Sequence, residues 1–374
     1  MKHSIDHPES VSSLETAVRR KIDAGSLAAI TFRDYMELCL YHPQWGYYMQ
    51  PREKIGKAGD FYTASNIGGV LGEALAYYIA RQADSLTGPV CMMEWGAGTG
   101  RLAAQLLDGI REHFPELYLR IHYIAVEKSP WHQQSQKQQL ADHLHIVRQW
   151  TPEEAVEAGG AGQADFLLSN ELLDAFPVHR LRQRNQALIE LYVGWDVSAG
   201  GFHELELPCV DEALIRYLRD SGIELADGQT ADISLEAPLW LGERLGELKS
   251  GELITIDYGD TALELFGTHR MNGTLLCYKN HLAGENPYIY AGEQDITAHV
   301  DFSACIRSGI QAGVNRWQLM TQKEFLLESG VLERLVSHDG RDPFSPASKR
   351  NRAIRQLLLS DGMSELFKVL IQKK

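Results

Sequence analysis

Cysteine is scarce in this chain of 374 residues: Cys39, Cys91, Cys209, Cys277 and Cys305 are scattered, odd in number and form no C-x-x-C pair. Their pattern argues against a disulfide framework and a zinc site, and it implies a reducing compartment. Basic residues are also outnumbered, 36 Lys and Arg against 50 Asp and Glu, which gives a formal charge of −14. This deficit argues against nucleic acid as a partner and suits a protein that attracts a basic substrate. No apolar run approaches the roughly 20 residues that span a bilayer, so no membrane partner is expected. Met1 to Pro8 hold neither a signal-peptide core nor an Arg-rich amphipathic presequence. Together these absences predict a cytoplasmic protein. Internal repeats and low-complexity blocks are lacking too. What remains is a 44% apolar composition, ordinary for a globular protein, in a chain long enough for one large core or two modest ones.

The apolar pattern predicts an α/β protein. Residues 11–50 read as helical with an aromatic-rich close, and a second helix spans about 68–83. Strand candidates are Val90 to Glu94, Leu119 to Val126, Asp165 to Ser169 and Leu253 to Ile256, with another ending at Trp150. The runs at 166–168 and 253–256 are continuously apolar, as in strands covered on both faces. The first four end in or before polar residues, at the edge where an open parallel sheet binds ligands. Between the third and fourth strands, Ala187 to Trp195 and Phe202 to Leu207 alternate around Gly200-Gly201 and suggest a hairpin. Residues 209–248 look mainly helical, and Met363 to Ile371 read as a closing amphipathic helix.

One segment narrows the ligand. Met93-Glu94-Trp95-Gly96-Ala97-Gly98-Thr99-Gly100-Arg101 reads as strand, glycine turn and helix, and Leu102, Leu106, Leu107 and Ile110 continue at helical spacing. Glycines there allow unusual φ and close backbone approach, and the helix N-terminus offers unpaired N–H groups. The dinucleotide spacing G-x-G-x-x-G needs glycine at 101, where Arg101 stands. Glu-x-Gly-x-Gly-x-Gly is instead similar to the pattern of class I S-adenosylmethionine (SAM) methyltransferases. For SAM, the candidate contacts are Glu94, Gly96, Ala97, Gly98, Thr99 and Gly100. Glu127, at the end of the next strand, would take the ribose diol. Trp150 either covers the adenine or packs in the core.

A second edge carries the candidate chemistry. Asn170-Glu171-Leu172-Leu173-Asp174 follows a buried strand and would face the methyl donor, with Asn170 touching both cofactor and acceptor. Methyl transfer is a displacement in which the enzyme aligns a lone pair and excludes water. Arginine stays protonated in water, and paired carboxylates can hold a guanidinium and localise its charge. A helical turn would place Glu171 and Asp174 on one face as such a clamp; alternatively, Asp174 caps a helix. Asp295, His299 and Asp301 form a further polar cluster. Its readings are a His–Asp hydrogen bond shaping the substrate pocket, with His299 catalytic, or Asp301 as a plain N-cap. No metal is expected, because no further His or Cys stands at ligand spacing.

Several segments together resemble one family, the MidA-like and mitochondrial complex I assembly-factor arginine methyltransferases. They are Leu40-Tyr41-His42-Pro43 with Gly46-Tyr47-Tyr48, Gly59-Asp60-Phe61-Tyr62-Thr63-Ala64, the glycine motif, 170–178, Ile256-Asp257-Tyr258-Gly259 and 292–302. The resemblance implies a class I methyltransferase sheet, mostly parallel and Rossmann-like, with SAM as methyl donor and a protein arginine as acceptor. It also implies that Gly59, Asp60, Phe61 and Thr63 fold over the cofactor. The expected layout is a helical N-terminal region with this loop over 1–65, a SAM-binding core over 66–260 with an insertion at about 185–250, and the remaining strands and substrate-side elements over 261–374. The alternatives are a small-molecule N- or O-methyltransferase and a SAM-binding assembly factor without catalysis. The oligomeric state is not legible, with a homodimer left open.

Overall fold

The computed structural model describes residues 13–52, 54, 67–337, 341–359 and 365–374. The expected cofactor-covering residues Gly59, Asp60, Phe61 and Thr63 lie outside the described residues.

The main sheet has seven principal strands: β1 (Val90–Trp95), β2 (Ile121–Val126), β3 (Val147–Trp150), β4 (Phe166–Asn170), β5 (Glu252–Asp260), β6 (Arg316–Thr321) and β7 (Phe367–Lys373). Their spatial order is β3-β2-β1-β4-β5-β7-β6. The pairs from β3 through β5 are parallel, and β7 runs antiparallel between β5 and β6. The fold is therefore α/β with a mostly parallel sheet. Strand order reverses between β1 and β4, and ligands of open α/β sheets bind at such a switch point.

Side-chain alternation explains the continuous apolar runs. Met92, Tyr123, Ala125, Phe166 and Leu168 join one cluster with Leu71 and Leu75 of α3 (Val70–Ala83) and with Leu106 and Leu107 of α4 (Arg101–His113). Their neighbours Met93, Ile124, Val126 and Leu167 point the other way, onto Leu241 and Leu245 of Glu236–Glu247 and Phe302 of Phe302–Gln311. Burying each such side chain contributes about 1.5–3 kcal/mol, so both faces must be covered for these strands to form.

The same logic corrects the expected C-terminal helix. Phe367, Val369 and Ile371 join the first cluster while Leu370 joins the second. An apolar strand buried on both faces is indistinguishable by periodicity from a short buried helix, and its β-branched and aromatic residues favour the strand. The second strand begins at Ile121 rather than Leu119, which is 84% exposed.

The N-terminal α1 (Leu14–Ala24) and α2 (Phe32–Tyr41) pack on a second, antiparallel sheet. It contains Ile30–Thr31, His179–Arg184, Thr230–Ile233 and the expected hairpin, Ala187–Asp196 with Gly201–Pro208. A small third sheet carries Asp295–Thr297. Among the described residues, no helix is long and apolar enough to cross a membrane.

Candidate functional site

The C-terminal ends of β1, β2, β4 and β5 open into one cavity of about 620 Å³. Glu94, Gly96 to Thr99 of the glycine turn, Glu127, Asn170, Glu171 and Asp174 all line it, whereas Gly100 packs against Gln136 and Leu140. One end is formed by the glycine turn. Gly96, Gly98 and Gly100 have φ of 69°, 51° and 81°, a left-handed region that disfavours residues with a Cβ. A Cβ on Gly98 would meet only the Gly96 carbonyl oxygen, at 3.9 Å, so the turn presents bare backbone beside the cavity. The turn is tied to Glu127, whose Oε2 accepts the Gly98 N–H at 2.7 Å and whose Oε1 accepts the Ser129 N–H at 2.7 Å. Ser129 also caps α5 (Pro130–Gln139), with proline at its first turn. A carboxylate has about four acceptor positions, so Glu127 keeps capacity on each oxygen for the two hydroxyls of a ribose. The chemistry of this donor and acceptor set fits an adenosyl group.

Glu94 lies beneath the turn and receives the Tyr123 hydroxyl at 2.8 Å. Burial pushes its carboxyl up to about 7, the Tyr123 hydrogen bond opposes this, and the charge of Glu127 adds to it. Trp150 does not line the cavity. It closes β3 against the cluster around Met93 and Ala155, which corrects its assignment as an adenine cover. Val126 and Pro152 line the wall near this end instead.

The other end is acidic and aromatic. Glu171 leaves β4 with φ of 50°, and its N–H reaches the Ile256 carbonyl at 2.9 Å. The expected helical turn across 171–174 is not formed: only Leu173–Ala175 make a 3-10 turn, because Glu171 is left-handed. Both carboxylates nevertheless face the same cavity. Asp174 is buried, and burial followed by the charges of Asp257, Asp295 and Glu171 holds its carboxyl well above the usual range. Asn170 donates to Glu171 Oε1 at 3.3 Å, while its own Oδ1 is buried without a hydrogen-bond partner among the described residues.

Distant segments complete this end. Tyr48 donates to Asp295 Oδ1 at 2.8 Å, and Tyr41 donates to the Ala175 carbonyl at 3.0 Å. The Tyr41 and Tyr48 rings stack at 5.6 Å. Tyr258 and Tyr278 add further aromatic wall. Behind the loop, Asp257 is fully buried, and its Oδ2 receives the N–H groups of Leu172, Leu173 and Asp174 at 3.1, 2.8 and 3.4 Å. The sequence marks Asp257 as a strand end and puts Asp295 in a polar cluster beside the substrate pocket, but gives Tyr48 no contact with that cluster. Only Asp257 carries a local signal, a carboxylate closing the apolar run Leu253 to Ile256.

His299 is not in this site. Its ring stacks on Tyr258 at 6.5 Å, behind the cavity wall, its backbone N–H donates to the Thr274 hydroxyl, and burial lowers its pKa to about 4. Asp301 caps Phe302–Gln311 through the Ala304 N–H and accepts the Tyr217 hydroxyl. The catalytic assignment of His299 is thereby corrected, since burial against Tyr258 takes it away from the acceptor end. Among the described residues, no group of three or more His, Cys, Asp or Glu is placed to hold a metal ion.

Comparison with known proteins identifies the fold and family. Residues 74–320 match the family described as "Putative S-adenosyl-L-methionine-dependent methyltransferase". The crystal structure of a Burkholderia thailandensis protein bound to S-adenosyl-homocysteine superposes with a TM-score of 0.83 and 30% identity, covering 96% of this chain and 92% of that one. The Drosophila melanogaster protein arginine methyltransferase NDUFAF7 homolog, mitochondrial, is 26% identical across 79% of this chain and 71% of its own length. Human protein arginine methyltransferase NDUFAF7, mitochondrial, is 25% identical across 83% and 72%. These curated relatives are named mitochondrial, which overturns the cytoplasmic expectation. Residues 1–8 do not decide a compartment.

Proposed function

Because the chain belongs to this family of SAM-dependent methyltransferases, we propose that its methyl acceptor is an arginine side chain of a protein. The observation that carries the reading is the concentration of Glu171, Asp174 and Asp295 at one end of the cavity. The names of the curated relatives support it.

When bound, SAM supplies a methyl group on a positively charged sulfur. The glycine turn and Glu127 would hold its adenosyl and amino-acid parts. Glu171 would pair with the incoming guanidinium and turn its charge away from the attacking nitrogen. Burial and the charges of the neighbouring carboxylates favour the protonated form of Asp174. A guanidinium placed among Glu171, Asp174 and Asp295 relieves that repulsion and favours the ionised form of Asp174. As the acceptor nitrogen gains its methyl it must release one proton, and an ionised carboxylate at this end can take it. Tyr41, Tyr48 and Tyr258 exclude water from the reacting nitrogen.

The test is incubation with methyl-labelled SAM and matched peptides containing arginine, lysine or neither. Label on the arginine peptide supports the proposal. No label on the arginine peptide, or label on the lysine peptide alone, overturns it.

A further inference from the structure

We propose that Asp257 is a positioning residue for the methyl-acceptor end, acting through the loop from Glu171 to Ala175. This rests on the reading of Glu171 and Asp174 as the acceptor-facing groups. Asp257 does not line the cavity. Its Oδ2 gathers the N–H groups of Leu172, Leu173 and Asp174, and its Oδ1 takes that of Tyr258 at 2.9 Å. Four donors match the acceptor capacity of one carboxylate. The side chain is therefore engaged by the protein's own backbone, away from the cavity.

The loop needs such an anchor. Three successive N–H groups converge on one oxygen only if the chain turns sharply after β4, and it does so at Glu171 with φ of 50°. A glutamate in that region is strained, and the hydrogen bonds to Asp257 hold the turn in place. The same turn aims Glu171 and Asp174 into the cavity while keeping Leu172 against the glycine turn, where a Cβ on Gly96 would approach its Cδ1 to 2.8 Å. Asparagine is a poor substitute, since it offers one acceptor oxygen and sets N–H donors against backbone N–H groups. Burial pushes the Asp257 carboxyl up to about 7, and the backbone N–H groups oppose this.

The experiment uses Asp257→Asn in the full chain, with Asp257→Ser as a smaller second variant that still accepts a hydrogen bond. Hydrogen exchange at residues 171–175 is expected to accelerate about tenfold or more. The Kd for S-adenosyl-homocysteine, read by calorimetry, is expected to stay within about threefold while kcat on an arginine peptide falls roughly 10- to 100-fold. Combining Asp257→Asn with Glu171→Gln should cost little more than the worse single change, because both act on one device. Unchanged exchange, a parallel loss of S-adenosyl-homocysteine binding, or fully additive losses would overturn the proposal. If the wild-type protein labels no arginine peptide, the functional reading fails separately, and the exchange measurement still decides whether Asp257 holds the loop.

Discussion

The two ends of the cavity are held by different forces. At the cofactor end, backbone does most of the work: a left-handed glycine turn, two amides on Glu127 and a helix capped by Ser129. At the acceptor end, side chains from separate stretches crowd together. Asp174, Asp295 and Glu171 share one wall with Tyr48, and Asp257 stands behind it. The first end is pre-organised and nearly free of strain. The second crowds carboxylates that hold a proton on Asp174 until a cation replaces it, so its order should depend on what it binds.

The largest effect should come from a change that strikes both ends. Gly96→Val places a β-branched residue at φ of 69° with its Cβ 2.8 Å from Leu172. Calorimetry should show S-adenosyl-homocysteine binding weakened roughly 100-fold, with kcat falling alongside. Glu171→Gln should touch one end only: kcat on an arginine peptide drops about 10- to 100-fold while S-adenosyl-homocysteine affinity holds. Glu127→Gln should do the reverse, raising that Kd about tenfold through a weakened set of charged hydrogen bonds, with kcat at saturating SAM nearly unchanged.

The smallest effect concerns pH. The Glu94 carboxyl is pushed up to about 7 by burial, so the folded state binds its proton more tightly than the unfolded chain does. Its contribution to stability is fully present below the ordinary carboxylate range and is lost as pH rises through about 7. The Tm of the wild type relative to Glu94→Gln should therefore fall by a few degrees between pH 5 and pH 8. His299, lowered to about 4 by burial, acts in the opposite sense and cancels in that difference.

The contrast also explains what could be read from residue order. The glycine turn and its helix are contiguous, so spacing alone separated them from a dinucleotide site, and Glu127 needed only the next strand. The apolar runs at 166–168 and 253–256 announced strands buried on both faces. The acceptor end had no such economy. Tyr48 meets Asp295 across 247 positions, and Asp257 meets Leu173 across 84. No periodicity encodes those pairings. Trp150 stays open between adenine cover and core in the sequence, and His299 reads as catalytic there, for a related reason: residue type shows that a side chain is large or titratable, and tertiary packing decides which face of the wall it occupies. The strand Phe367–Lys373 was read as a helix because burial on both faces erases the alternation that would mark it.

Calorimetric titration of S-adenosyl-homocysteine into the wild type, Glu127→Gln and Glu171→Gln tests the two-ended account most directly. The account predicts a Kd raised about tenfold by Glu127→Gln and moved less than about threefold by Glu171→Gln. Equal weakening by both, or weakening by Glu171→Gln alone, would contradict it.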